Sequence, residues 1–226
     1  MRRFLGLDVL DADRLLDMTR AYHASLAWTD HWIGETLSLL EERGLSGDTI
    51  VVYTSDHGEM LGDHGLFGKS TLYEPAVRVP AIIRQPDGSN AGRRIERITQ
   101  HLDLVASLFH LAGLEQPAGL AGSPLAELCG ETGLPEPAEE ALCELYYRAP
   151  SHLVVPRDDL AASLRIDNWK YAFDAPGEES LFDLDSDPEE RTNLAGDPTH
   201  RSRTDDLRAR VRELIPERVY VMRRRG

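Results

Sequence analysis

One stretch of this sequence gathers residues able to hold a cation and an anion. Asp56 and His57 stand directly after the apolar, β-branched run Thr49-Ile50-Val51-Val52-Tyr53-Thr54. A carboxylate oxygen beside an imidazole nitrogen is a ligand pair for a divalent ion. Such a mixed set suits Mn²⁺ or Zn²⁺, whereas an all-oxygen set suits Ca²⁺ or Mg²⁺. Side chains alternate sides along a strand, so adjacent residues converge only where the chain turns, and Gly58 permits a turn there. The same pair also fits a purely local arrangement, with Asp56 capping the loop and His57 hydrogen-bonded to it.

The loop that follows contains Gly58, Gly62, Gly65 and Gly68 and closes at Lys69. Lysine is rare here: 23 of the 25 basic residues are arginine, and the two lysines are Lys69 and Lys170. A compact ammonium in a glycine-rich loop suits contact with one oxygen of a sulfate or phosphate ester, where a planar guanidinium would not serve. Chance is the competing account, since two positions are a small sample. His64, seven residues beyond His57, is a candidate for lining the same site. Glu74 and Arg78 are expected to pair structurally, His101 and Asp103 to cap or orient a helix, and Lys170 to pack against Trp169.

These residues need elements to hold them. Residues 11–43 carry Leu15, Met18, Tyr22, Leu26, Thr29, Ile33, Leu37 and Leu40 at spacings of three and four, which predicts one long helix with Asp11 as its cap and Gly44 as its stop. A short turn then leads into the 49–54 run, read as a buried strand. Helix, turn and strand together suggest an αβ unit of a mainly parallel sheet, whose ligand sites form at strand carboxyl ends. Val77 to Ile83 is a second apolar run, and Pro80 makes it an edge strand or strand start. Residues 99–112 predict a helix ending at Gly113, with Leu102, Val105, Leu108 and Phe109 inward. Residues 115–138, rich in Pro, Gly and Glu, read as a linker or long surface loop. Short strands are expected at 141–147, 163–166, 169–173 and 181–184, with a hairpin turn at Asp167-Asn168. A closing helix at 198–214 carries Leu207, Val211 and Leu214 on one face.

Composition sets limits on function. The 226 residues carry a net charge of -14, which disfavours non-specific nucleic-acid binding. Residues 201–226 run the other way, with nine arginines against four acids. The run Arg223-Arg224-Arg225 suits an anion or an acidic patch, or is a solvated tail. No apolar run is long enough to span a membrane, and the first residues lack the apolar stretch of a signal peptide. Cys129 and Cys143 fit neither a metal spacing nor a disulfide framework. A cytoplasmic protein is the expectation.

The stretch Tyr53-Thr-Ser-Asp-His-Gly-Glu-Met-Leu-Gly-Asp-His-Gly-Leu-Phe-Gly-Lys69, with Tyr73-Glu74 and Val77 to Ile83, resembles the sulfatase family of the alkaline phosphatase superfamily. The likeness extends upstream through Tyr22-His23-Ala24-Ser25. Downstream it runs through Gln100 to Leu104, Asp167 to Tyr171, Leu181 to Leu184, Asp187 to Glu190 and Asn193-Leu194. It implies an α/β fold: a partial alkaline-phosphatase-like, mainly parallel sheet with flanking helices, then a small C-terminal antiparallel sheet and closing helix. The expected domains are 1–115 for the core, 116–139 for a linker and 140–226 for a C-terminal subdomain with a basic tail. By the same resemblance Asp56 and His57 match two ligands of one divalent metal ion (Ca, Mn or Zn), and Lys69 matches the lysine that meets the ester's anionic oxygens. The Asp-His form resembles members acting on phosphonate monoesters, phosphodiesters or choline sulfate.

Two family elements find no match in this sequence. They are the other acidic metal ligands and the nucleophile motif Cys/Ser-x-Pro-x-Arg. Cys129 is followed by Gly130-Glu131-Thr132, Cys143 by Glu144-Leu145-Tyr146, and Ser123-Pro124 has its proline one residue too early. The expectation is a C-terminal fragment of a hydrolase of sulfate, phosphate or phosphonate esters that is inactive alone and associates with itself or with a separate N-terminal half. The alternatives are a metal- or anion-binding remnant without turnover and an interaction domain.

Overall fold

The computed structural model describes residues 11–135, 139–146, 160–175 and 178–215. In chain order the elements are α1 (Ala12–Glu42), β1 (Val51–Thr54), α2 (Glu74–Val77), β2 (Ala81–Arg84), α3 (His101–Leu111), α4 (Ala126–Cys129), β3 (Glu140–Tyr146), β4 (Leu160–Ile166), β5 (Trp169–Ala175), β6 (Glu178–Asp183) and α5 (Arg201–Leu214). They form two compact units. Among the described residues, the first takes those up to Ser70 together with Pro75–Arg93, and the second takes Thr71–Glu74 and those from Arg94 onward. The arginine-rich run at 223–225 lies outside the described residues.

In the first unit α1 starts where Asp11 Oδ1 accepts from the Arg14 backbone N–H at 2.9 Å. It stops at Gly44, whose φ of 67° places it in the left-handed region. Thr19, Ser25, Thr29 and Thr36 point their hydroxyls back to the carbonyls four residues earlier, so hydroxyl residues persist inside the helix. Not one of its 31 residues is buried. Besides the predicted stripe, Trp28 and Trp32 stand exposed and pack edge to face, with ring centroids 5.6 Å apart. A helix apolar on more than one face is built to be covered.

The strand read at 49–54 is β1, half-buried and four residues long. It pairs with β2 antiparallel, Val51 opposite Arg84 and Thr54 opposite Ala81. Pro80 sits immediately before β2, as its missing N–H requires. Among the described residues every strand pair is antiparallel, so the parallel arrangement expected from the αβ pattern is not seen. The sequence pattern of one strand states its burial and not its partner's direction.

The second unit centres on a sheet ordered β3-β4-β5-β6. Asp167 and Asn168 make the predicted turn between β4 and β5, with Asp167 at φ 51°. The helix α5 covers this sheet. Leu207, Val211 and Ile215 lie with Ala162, Leu164, Tyr171 and Leu181 in one buried cluster. Each large apolar side chain so buried contributes on the order of 2 kcal/mol. Polar ties align the helix: Arg208 grips Glu179 through Nε and Nη2, both at 2.6 Å, and Arg210 reaches Glu140 on β3 at 2.6 and 2.9 Å. The fork of Arg208 holds the Glu179 carboxyl below its ordinary range.

The two outer edges of the sheet are both met by side-chain amides. Gln100, the residue before α3, donates from Nε2 to the Glu140 carbonyl at 3.2 Å and accepts on Oε1 from the Leu142 N–H at 3.3 Å. Asn193 does the same on β6, donating to the Glu179 carbonyl at 2.9 Å and accepting from Leu181 N–H at 3.1 Å.

Four sequence expectations are corrected in this unit. The inner face of α3 is Asp103, Leu104, Ala106 and Ser107, while Leu102 and Val105 are exposed. The polar pair is buried because it serves backbone: Asp103 accepts from the Gln100 and Ser123 N–H groups at 3.0 and 3.1 Å, and Ser107 Oγ accepts from Leu125 N–H at 2.8 Å. Asp103 therefore does orient the helix start, as expected. The segment read as a linker or long surface loop contains α4 and buries Leu125 and Leu128. Finally, Lys170 is not stacked on Trp169. It is 2% exposed and lies 2.9 Å from Glu74 and 2.8 Å from Glu190, while Arg165 also meets Glu74 at 3.4 Å. Glu74 thus pairs with Lys170 and Arg165 in place of the expected Arg78.

Among the described residues no helix is long and apolar enough to cross a membrane.

Candidate metal and anion site

At the end of β1 the backbone turns through Ser55, whose Oγ donates to the His57 carbonyl at 2.7 Å. Gly58 then passes against residues 75–78. Its N–H donates to Ala76 O at 2.8 Å, and a Cβ at this position would stand 2.0 Å from the Pro75 carbonyl oxygen. Gly58 is therefore required by close backbone approach rather than by a left-handed turn.

This turn brings Asp56 and His57 to one point. His57 N–H donates to Asp56 Oδ1 at 3.0 Å, and His57 Nε2 lies 3.5 Å from Asp56 Oδ2. His57 Nδ1 is 2.7 Å from the Gly58 carbonyl, so that nitrogen carries the proton. Nε2 is left as an acceptor and meets Lys69 Nζ at 2.5 Å. The three predicted residues thus share one cluster. Desolvation works to raise the Asp56 carboxyl, but the neighbouring His57, the backbone N–H groups and Lys69 together outweigh it and hold it below its ordinary value.

The donor set suits a divalent cation in part. A ligand imidazole is ordinarily oriented by a hydrogen bond from its other nitrogen, and the Gly58 carbonyl supplies one here. The Nε2 lone pair and an exposed carboxylate face the same space. Among the described residues no group of three His, Cys, Asp or Glu side chains converges to complete a site, so the cluster offers two protein ligands.

The glycine loop is organised as a closed hairpin. Met60 N–H donates to Gly68 O at 3.0 Å and Gly62 N–H to Leu66 O at 2.8 Å. His64 sits at the closed tip, half-buried, in a left-handed conformation with φ 52°. Asp56, His57 and Lys69 sit at the open base, so these rungs place the tip histidine and the cluster at opposite ends of the loop. One residue that sequence reasoning passed over is Glu59. Its Oε1 accepts from Gly68 N–H at 2.5 Å and from Leu61 N–H at 3.2 Å. The sequence signal was only its place beside His57, since an acceptor serving a residue nine positions away leaves no periodic trace.

Comparison with known proteins gives concordant findings. The family model described as Sulfatase matches residues 7–114, and the model described as N-sulphoglucosamine sulphohydrolase, C-terminal, matches residues 62–217. N-acetylglucosamine-6-O-sulfatase of Bacteroides thetaiotaomicron is 31% identical over 191 residues, covering 83% of this chain and 34% of that protein. Arylsulfatase K of Homo sapiens is 34% identical over 180 residues, covering 77% of this chain and 33% of that protein. The crystal structure of phosphonate monoester hydrolase of Agrobacterium radiobacter superposes with a TM-score of 0.80 at 28% identity, over 90% of this chain and 42% of that one. The chain spans about a third of the length of these curated relatives.

Proposed function

Because this chain belongs to the sulfatase family of the alkaline phosphatase superfamily, we propose that the base of its glycine loop is part of a hydrolytic site for sulfate esters or related phosphate and phosphonate esters. In this reading Lys69 gives up the His57 Nε2 lone pair to one divalent ion held with Asp56, and turns to the anionic oxygens of the ester. The observation that carries it is the convergence of Lys69 Nζ and the Asp56 carboxylate on the one acceptor nitrogen of His57, at 2.5 and 3.5 Å. A metal ion held there would supply Lewis-acid neutralisation of the transferring group. An imidazole nitrogen in the set favours Mn²⁺ or Zn²⁺ over Ca²⁺. The residues of this chain have separate tasks. The Gly58 carbonyl fixes the His57 ring, Asp56 keeps its charge, and Lys69 presents a point charge to one ester oxygen.

Within these 226 residues no sequence fits the nucleophile motif of the family. We therefore propose that the chain turns over no ester by itself and that its site is completed by groups outside the described residues. The uncovered apolar faces of α1 support the same reading. We assign them to contact with the remaining part of the family fold, or with a second copy where that part is not supplied.

The test offers aryl sulfate, phosphodiester and phosphonate monoester substrates to the purified chain with Mn²⁺, Zn²⁺ or Ca²⁺ in turn. The expected result is no turnover, together with a weak metal-dependent signal from His57 in NMR spectra that Asp56→Ala removes. Turnover abolished by Asp56→Ala would sink the claim of inactivity. An unperturbed His57 at saturating metal would sink the ligand assignment.

A further inference from the structure

Glu59 stands two residues beyond His57, and the proposed chemistry does not use it. Its Oε1 accepts the Gly68 N–H at 2.5 Å, while the Gly68 carbonyl accepts the Met60 N–H at 3.0 Å. Both peptide groups of the residue before Lys69 are therefore held from the opposite arm of the loop. That residue is a glycine at φ 81°, the backbone type with most freedom to lose. The same carboxylate oxygen takes the Leu61 N–H at 3.2 Å, which bends the outgoing arm around it. His57 and Lys69 leave this clamp on its two sides and meet at 2.5 Å.

We infer that Glu59 is the positioning residue of this site: by accepting the Gly68 and Leu61 N–H groups it fixes the backbone that carries Lys69 beside His57, so that the ammonium is held within reach of an anionic ester oxygen. The last clause rests on the reading that Lys69 meets the anion. What the clamp needs is an acceptor, since both of its partners are neutral backbone donors. Glutamine, which keeps Oε1, will serve, and alanine will not.

The experiment compares the full ¹⁵N-labelled chain with its Glu59→Ala and Glu59→Gln variants, by the ring-nitrogen shifts of His57, titration with inorganic sulfate, and thermal midpoint. In the wild type His57 shows a single tautomer protonated at Nδ1. Glu59→Ala leaves Nδ1 protonated on the Gly58 carbonyl but loses the Nε2 shift that the Lys69 contact sets, and weakens sulfate binding by about tenfold, the worth of one well-placed hydrogen bond. Glu59→Gln keeps both. A staple of purely structural value would lower the thermal midpoint in Glu59→Ala and leave the His57 pattern of the folded protein unchanged, and that result overturns the proposal. If Glu59→Ala does not fold, Glu59→Gln decides: an Nε2 shift there that departs from wild type overturns it equally. Should the wild type bind no sulfate while Glu59→Ala still moves the His57 Nε2 shift, the positioning role stands and the anion reading falls.

Discussion

The two lysines of this arginine-rich chain sit in opposite settings. Lys170 lies in the second unit, 2% exposed, between two carboxylates of which Glu190 is 1% exposed. Lys69 lies in the first unit on an exposed loop, with an imidazole nitrogen as its close partner and an 82% exposed carboxylate beyond it. One charge is compensated inside the fold. The other faces solvent with donors to spare, as a group kept for a ligand would. Rarity of lysine pointed to both residues alike, and only burial and partners tell the compensated ammonium from the exposed one. In Lys170 the compact head fits between two acids, and in Lys69 it fits beside a ring.

Changes to these two regions should separate in size. The largest loss is expected for Lys170→Met. It strands Glu190 in a buried place, leaves Glu74 only its 3.4 Å contact with Arg165, and should cost about 3–5 kcal/mol in urea unfolding. A loss below about 1 kcal/mol would mean that water reaches the pair. Next comes Gly58→Ala, where the new methyl meets the Pro75 carbonyl. We expect about 1–3 kcal/mol and loss of the single His57 tautomer, checked by unfolding and by ring-nitrogen shifts. This would show that the exposed site depends on backbone fit rather than on its own charges.

A smaller effect concerns acid. Glu179 titrates lower in the folded chain than unfolded, because Arg208 grips it. Its contribution is therefore complete above the ordinary carboxylate value of 4.5 and is lost as pH falls through the depressed folded value. Arg208→Ala should remove about 1 kcal/mol at neutral pH and flatten the acid limb of a stability-against-pH curve. An unchanged acid limb would place the titrating group elsewhere. The smallest effect on stability is expected for Lys69→Ala, within about 0.5 kcal/mol of wild type. Sulfate binding should nevertheless vanish, and Lys69→Arg should not restore it. A large stability loss at Lys69 would erase the contrast between the two lysines.

Much of this was legible in the order of residues. The spacing of Leu15 to Leu40 marked α1, Pro80 marked the start of β2, and Asp167-Asn168 marked a hairpin, because each signal is local. The Asp56, His57 and Lys69 cluster was legible as a motif. What escaped were contacts between distant positions. Lys170 and Glu74 are 96 residues apart, so no window contains both. The inner face of α3 was misread because Asp103 and Ser107 are polar and yet buried, each serving a backbone N–H in the 123–125 segment. The direction of β2 against β1 belongs to the same class, since a strand's own pattern does not name its neighbour.

The amides of Gln100 and Asn193 have a consequence for assembly. A bare sheet edge is a template on which another chain can add a strand, the first step toward fibrils. Here each outer strand offers part of its edge to a primary amide of its own chain, which imitates a peptide group. The four-stranded sheet thereby carries its own end-stops against polymerisation. Deamidation at either residue would turn a donor into a carboxylate facing a carbonyl, so slow chemical ageing at these two positions is where the protection would first fail.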